Sequence, residues 1–179
     1  MRPENEALIV VDVQNDFCPG GALEVPGGDA VVPEINALLD QFHTRVFTQD
    51  WHPAGHSSFA SSHPGKSPFD VIEMPYGHQI LWPDHCVQGT EGAAFHPDLD
   101  SAKADHVQRK GTNPAIDSYS AFFENDHETE TGLDAILRER GITVLTVVGL
   151  ATDFCVQFTA VDAAKLGYKV TVLEHACRG

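Results

Sequence analysis

The stretch Val144 to Phe158, Val-Leu-Thr-Val-Val-Gly-Leu-Ala-Thr-Asp-Phe-Cys-Val-Gln-Phe, restricts the possible fold more than any other part of the chain. Its first residues are almost wholly apolar and too rich in β-branched side chains to favour a helix, so they read as a buried strand. Gly149 breaks that run, and Thr152 and Asp153 offer helix-start side chains. An apolar helical pattern then continues through Phe158, Val161 and Leu166 to Gly167. Cys155 therefore falls in the first turn of a helix that follows a central strand. Unpaired backbone N–H groups and the positive end of the helix dipole at such a turn favour a thiolate. The competing reading is a small buried cysteine, the commoner role of a lone Cys.

Other strands and helices alternate around this one. Ala7 to Asp12 reads as a buried strand ending on an acid, Val31 to Phe42 as an amphipathic helix, and Arg45 to Asp50 as a third strand. His106 to Lys110 is a short strand ending on a lysine, Glu130 to Arg140 a helix closed by Gly141, Ile142 to Val148 the strand already described, and Tyr168 to Glu174 a last strand. The alternation predicts a three-layer α/β/α fold, a central parallel sheet with helices on both faces. Ligands of such sheets bind beyond the carboxyl ends of the strands. Asp12, Asp50 and Lys110 each close a strand, and Cys155 opens the helix behind another, so four reactive groups should lie along one edge. Singly, each is an ordinary turn or cap residue; together they point to a site.

A chain of 179 residues is long enough for one domain with a proper core, expected to span residues 1–179. The net charge of −15 argues against nucleic acid or an anionic membrane surface as a partner. The polar, acidic start Met1-Arg-Pro-Glu-Asn-Glu is no secretory signal, and the longest apolar run, Ile142 to Ala151, is too short to span a bilayer. The cysteines at 18, 86, 155 and 177 show no CxxC spacing and read as reduced thiols in a cytoplasmic protein.

From Trp51 to about Asp100 no long periodic element is visible, yet six of the ten histidines (52, 56, 63, 78, 85 and 96) lie there. Loops this long in a compact domain are usually functional. Asp50, His52 and His85 supply a carboxylate and two imidazoles, a set that suits Zn²⁺, Fe²⁺ or Mn²⁺ and leaves positions open for water or substrate. Histidines are also everyday hydrogen-bonding residues, and paired spacings arise by chance. A thiol nucleophile needs a base and oxyanion donors. Asp12 qualifies as base if burial raises its pKa, Lys110 would stabilise both carboxylate and thiolate, and the Ala151 to Cys155 turn offers backbone N–H groups. A structural Asp12–Lys110 ion pair is the serious competitor.

At these residues the chain resembles the nicotinamidase (pyrazinamidase) branch of the isochorismatase-like cysteine hydrolases. The resemblance rests on Asp12-Val-Gln-Asn-Asp-Phe-Cys-Pro-Gly-Gly-Ala-Leu, Asp50-Trp-His-Pro-Ala-Gly-His-Ser-Ser-Phe and Trp82-Pro-Asp-His-Cys-Val-Gln-Gly-Thr. It continues through Lys110-Gly, Asp117-Ser-Tyr-Ser-Ala-Phe-Phe, Gly149-Leu-Ala-Thr-Asp-Phe-Cys-Val and Cys177-Arg-Gly, in order along the whole chain. It implies a triad of Asp12 as base, Lys110 as electrostatic partner and Cys155 as nucleophile. It implies Asp50, His52 and His85 as ligands of one divalent ion within a metal-binding loop region around residues 50–97, and leaves His56 open. A cis peptide between Leu150 and Ala151 is implied, with the N–H groups of Ala151 and Cys155 as the oxyanion hole. Phe17, Leu23, Trp82 and Tyr119 match positions lining an aromatic amide pocket.

The activity implied is conversion of nicotinamide to nicotinate and ammonia through a thioester, with pyrazinamide as a further substrate and a homo-oligomer allowed. A C-terminal strand and helix usual in the family are expected to be absent after Cys177-Arg-Gly. Two rivals remain: another hydrolase of the superfamily acting on isochorismate or an N-carbamoyl compound, and a non-catalytic metal- or ligand-binding module.

Overall fold

The computed structural model describes residues 1–179. Five strands form one wholly parallel sheet: β1 (Glu6–Val11), β2 (Thr44–Asp50), β5 (His106–Lys110), β6 (Val144–Leu150) and β7 (Lys169–Arg178), in the order β5-β2-β1-β6-β7. Helix α1 (Val31–Leu39) covers one face, and α2 (Leu133–Glu139) and α3 (Gln157–Lys165) cover the other. The expected three-layer α/β/α architecture is therefore present.

β1 shows why the sheet is buried on both sides. Successive side chains of a strand point to opposite faces. Leu8 and Val10 pack with Val32, Ile35 and Leu39 of α1, while Ala7, Ile9 and Val11 pack with Leu133 and Leu137 of α2 and Ala163 of α3. All six β1 residues are buried, and from Ala7 to Val11 the strand reads as an unbroken apolar run rather than an alternating one. Since β1 is central, the chain first builds outward through β2 and β5, then returns to β6 on its other side. That reversal is a topological switch point, where ligands bind in such sheets.

Several elements differ from the sequence expectation. Gly149 does not end the strand before it: β6 runs through it to Leu150, pairing Gly149 with Val11. The glycine has φ +117°, and a Cβ there would sit 2.2 Å from the Val11 carbonyl oxygen, so it permits close strand approach. Helix α1 stops at Leu39, yet Phe42 stays in the core after the turn. Beyond β6 the first turn is a π-helical segment, Thr152–Val156, and only then does α3 begin. Val161, expected on the apolar face of that helix, is 44% exposed; Val156, Thr159 and Ala163 face inward instead. The long region after Trp51 contains a hairpin that sequence pattern did not reveal, β3 (Val71–Met74) with β4 (Gly77–Ile80). β7 is longer than expected, with Cys177 and Arg178 pairing Gly149 and Leu150. No helix is long and apolar enough to cross a membrane.

Candidate active site

The carboxyl ends of four neighbouring strands meet at one place. Asp12 follows β1 with φ +48°, and its left-handed backbone turns the side chain across the strand ends. Thr48 fixes it from β2: the Thr48 hydroxyl donates to Asp12 Oδ1 at 2.6 Å and accepts from the Asp12 N–H at 3.1 Å. Lys110 ends β5 and is almost fully buried. Its ammonium donates to Asp50 Oδ1, to the Ser118 carbonyl at 3.0 Å and to Cys155 Sγ at 3.4 Å. Asp12 Oδ2 lies 2.8 Å from the same nitrogen as an ion pair, but receives no aligned hydrogen bond. The ammonium therefore sits among two carboxylates, a carbonyl and the sulfur, with the Asp12 carboxyl beside Cys155. Donor atoms of Asp12, Asp50 and Cys155 lie within 4.8 Å of one another.

Burial governs the protonation of this group. It pushes the Cys155 thiol well above its ordinary value, with the Lys110 ammonium pulling the other way. It also raises the Asp12 carboxyl, against the attraction of Lys110. Burial disfavours the charge on Lys110 too, but Asp12 and Asp50 override it and hold the ammonium well above its usual range. The expected thiolate at a helix start is corrected here: the α-helix begins after Cys155, and desolvation leaves the sulfur as a neutral thiol beside an accepting carboxylate.

Asp50 also belongs to a second cluster. Its Oδ2 lies 3.8 Å from His85 Nε2, and Asp50, His52 and His85 have donor atoms within 4.8 Å of one another, all buried. His85 Nδ1 donates to the Pro83 carbonyl at 2.7 Å, which aims Nε2 at Asp50. Burial holds the His85 pKa low, so the ring presents a neutral lone pair. His52 Nε2 meets Asp117 Oδ1 at 3.0 Å, and Gly111 lies flat against the same ring, where a Cβ would come within 2.7 Å of Nε2. Imidazoles oriented by carbonyl and carboxylate partners around a free carboxylate oxygen fit a divalent metal ion. His56 stands behind, its ring 4.8 Å from that of His52. Ser58 N–H donates to His56 Nδ1 at 3.0 Å and Nε2 reaches the Asn113 carbonyl at 2.7 Å; His52 is engaged at both nitrogens too, and His52, His56 and Asp117 also have donor atoms within 4.8 Å of one another.

Between the clusters opens a cavity of about 200 Å³. Drug-sized sites are about 300–1,000 Å³, so this one takes a small ligand. Phe17, Leu23, Trp82 and Tyr119 all line it, together with Asp50, His85, Ala151 and Cys155. His52, Asp12 and Lys110 lie behind its walls. The Leu150–Ala151 peptide is cis. Sequence reasoning missed two participants. Phe154 lines the cavity edge-on to Trp82, with ring centroids 5.0 Å apart. Asp117 was seen only as the start of a motif. A buried acid with no cation next to it in sequence was the available signal.

A parallel α/β/α sheet with a cysteine, a lysine and two aspartates at its switch point defines a class, and a family model for the isochorismatase domain matches residues 6–179. The chain belongs to that family. It is 58% identical over 177 residues to a nicotinamidase of Acinetobacter baylyi, an alignment covering 99% of this chain and 83% of that protein. Among solved structures, an Acinetobacter baumanii nicotinamidase and pyrazinamidase superposes with a TM-score of 0.99 at 57% identity, covering 100% of this chain and 86% of the other. A Pyrococcus horikoshii pyrazinamidase in complex with zinc superposes with a TM-score of 0.79 at 40% identity, covering 98% and 87%.

Proposed function

We propose that this chain is a nicotinamidase, an amidohydrolase that converts nicotinamide to nicotinate and ammonia and also accepts pyrazinamide. The observation that carries the reading is a single buried ammonium, Lys110, shared by a thiol and two carboxylates at the wall of a one-ring cavity.

Cys155 Sγ attacks the carboxamide carbon while its proton passes to the neighbouring Asp12 carboxylate. The N–H groups of Ala151 and Cys155 receive the oxyanion; the Ala151 N–H donates to no other backbone carbonyl. Collapse breaks the C–N bond, Asp12 returns the proton to the leaving nitrogen, and ammonia departs from a thioester. Asp12 then takes a proton from water, the hydroxide attacks the thioester carbon, and the acid leaves as the thiol is restored. Lys110 stays charged throughout and stabilises whichever neighbour is anionic. Phe17, Leu23, Trp82 and Tyr119 enclose the ring.

Asp50, His52 and His85 would hold one divalent ion, Zn²⁺, Fe²⁺ or Mn²⁺, with Asp117 steadying His52 and His56 close behind it. Such an ion would supply a Lewis acid beside the cavity wall formed by Asp50 and His85. The zinc bound by the Pyrococcus horikoshii relative supports a divalent ion in such a fold. The test is ammonia release from nicotinamide, measured with metal content on one sample of wild-type and Cys155→Ala protein. Release by the wild type alone is expected; a folded, active alanine variant overturns the assignment of the nucleophile.

A further inference from the structure

Tyr119 is held by a closed circuit of hydrogen bonds whose direction is forced at each step. The Tyr119 backbone N–H can only donate, so Asn125 turns its Oδ1 toward it, at 3.1 Å. That leaves Asn125 Nδ2 to donate to Gln79 Oε1 at 3.2 Å, an oxygen that also accepts from the Tyr76 hydroxyl at 2.9 Å. Gln79 must therefore present Nε2 outward, and it donates to the Ile80 carbonyl at 2.8 Å and to Tyr119 Oη at 3.1 Å. The indole N–H of Trp82, a donor only, reaches the same phenol oxygen at 3.2 Å. Two obligate donors thus fill the acceptor positions of Oη, and its own hydrogen has no protein acceptor. Gln79 is 1% exposed, so water does not relax the constraint. Tyr119 lines the cavity, as does Trp82.

Resting on the nicotinamidase reading, we infer that the Tyr119 hydroxyl is a one-way hydrogen-bond donor to the bound amide, and that Gln79 and Asn125 are positioning residues that keep it so. A phenol that could turn either way would accept or donate indifferently. This one favours ligands offering a lone pair, a ring nitrogen or carboxamide oxygen, over analogues offering an N–H or C–H in the same place. The hairpin β3–β4 thereby acquires a role, since Gln79 belongs to β4 and is the only link of the circuit from that element.

The inference is tested on the full-length, metal-loaded enzyme with two variants. Tyr119→Phe keeps the ring and removes the donor, and kcat/KM for nicotinamide is expected to fall about three- to tenfold. Gln79→Glu reverses the circuit: an ionised Glu accepts the Tyr119 hydrogen and turns it from the cavity, whereas a protonated Glu has one O–H to offer Tyr119 Oη in place of the amide's two donors. Its kcat/KM should match that of Tyr119→Phe at high pH and return toward wild type as pH falls. The Tyr119→Phe/Gln79→Glu double variant should lack that recovery. Binding of benzamide, which has no ring nitrogen, to Cys155→Ala protein with and without Tyr119→Phe separates the acceptors. Weakening shared with nicotinamide assigns the carboxamide oxygen, and weakening of nicotinamide alone assigns the ring nitrogen. Wild-type kcat/KM in Tyr119→Phe, or a pH-independent defect in Gln79→Glu, overturns the inference and leaves the activity standing. A wild type that releases no ammonia from nicotinamide overturns both.

Discussion

Strands β2 and β5 run side by side and carry an ion pair at each end. At the amino ends, Arg45 forks onto Asp105 at 2.9 and 3.2 Å, with side chains 21% and 32% exposed. At the carboxyl ends, Asp50 meets Lys110 with side chains 6% and 0% exposed. The sequence offers the same ingredients twice, an acid and a base on adjacent strands. Water makes the difference. At the exposed end either ion can be solvated alone, so the pair contributes about 0.2–1 kcal/mol and merely fastens two strands. At the buried end water is excluded, Lys110 is shared between Asp50 and Asp12, and its charge opposes the burial that raises the neighbouring Asp12 carboxyl and Cys155 thiol.

Variants at the two ends should therefore behave very differently. Lys110→Met strands two buried carboxylates, and urea unfolding should show a loss of about 3–5 kcal/mol, with ammonia release down by on the order of 10³-fold or more. Were it to cost no more than Arg45→Met, the contrast between the two ends would collapse. Cys155→Ala should bring turnover to background while changing unfolding free energy by only on the order of 1 kcal/mol, which separates chemistry from support. Removing metal with a chelator should lower both activity and thermal midpoint; an ion at 100 times its Kd contributes about 3 kcal/mol. An unchanged midpoint with unchanged kinetics would remove the ion from the site.

The smallest effect is expected at the exposed end. Burial pushes the Asp105 carboxyl up, but the Arg45 guanidinium overrides it and the net shift is downward. A depressed carboxyl gives stability that is complete above the ordinary aspartate range and disappears as pH falls through the lowered value. Asp105→Asn should accordingly cost about 0.2–1 kcal/mol near neutrality, and its urea midpoint should converge on that of the wild type in acid. A gap that widens in acid would contradict the assignment.

What could be read beforehand follows the same division. Asp12, Asp50 and Lys110 were legible because each stands where a strand stops, and strand ends of a parallel sheet share one edge. The ionisation of Cys155 was not legible, since local geometry suggested a helix dipole while desolvation, a tertiary property, decides the outcome. The β3–β4 hairpin escaped notice because its four-residue strands are half exposed and carry no alternating pattern. Val161 misled because tertiary packing chose a different face of α3. Gly149 looked like a terminator, but it is a clearance for Val11, and clearance exists only between strands far apart in sequence.

Gly111 extends that lesson to the two halves of the site. It follows the lysine that serves the sulfur and touches the imidazole of His52 with nothing larger than hydrogen. The strand end that carries Lys110 and the imidazole of His52 are thus separated by room for one hydrogen atom. Directed evolution that enlarges position 111 would jar both at once, so metal affinity and turnover should drift together under selection rather than be tuned apart.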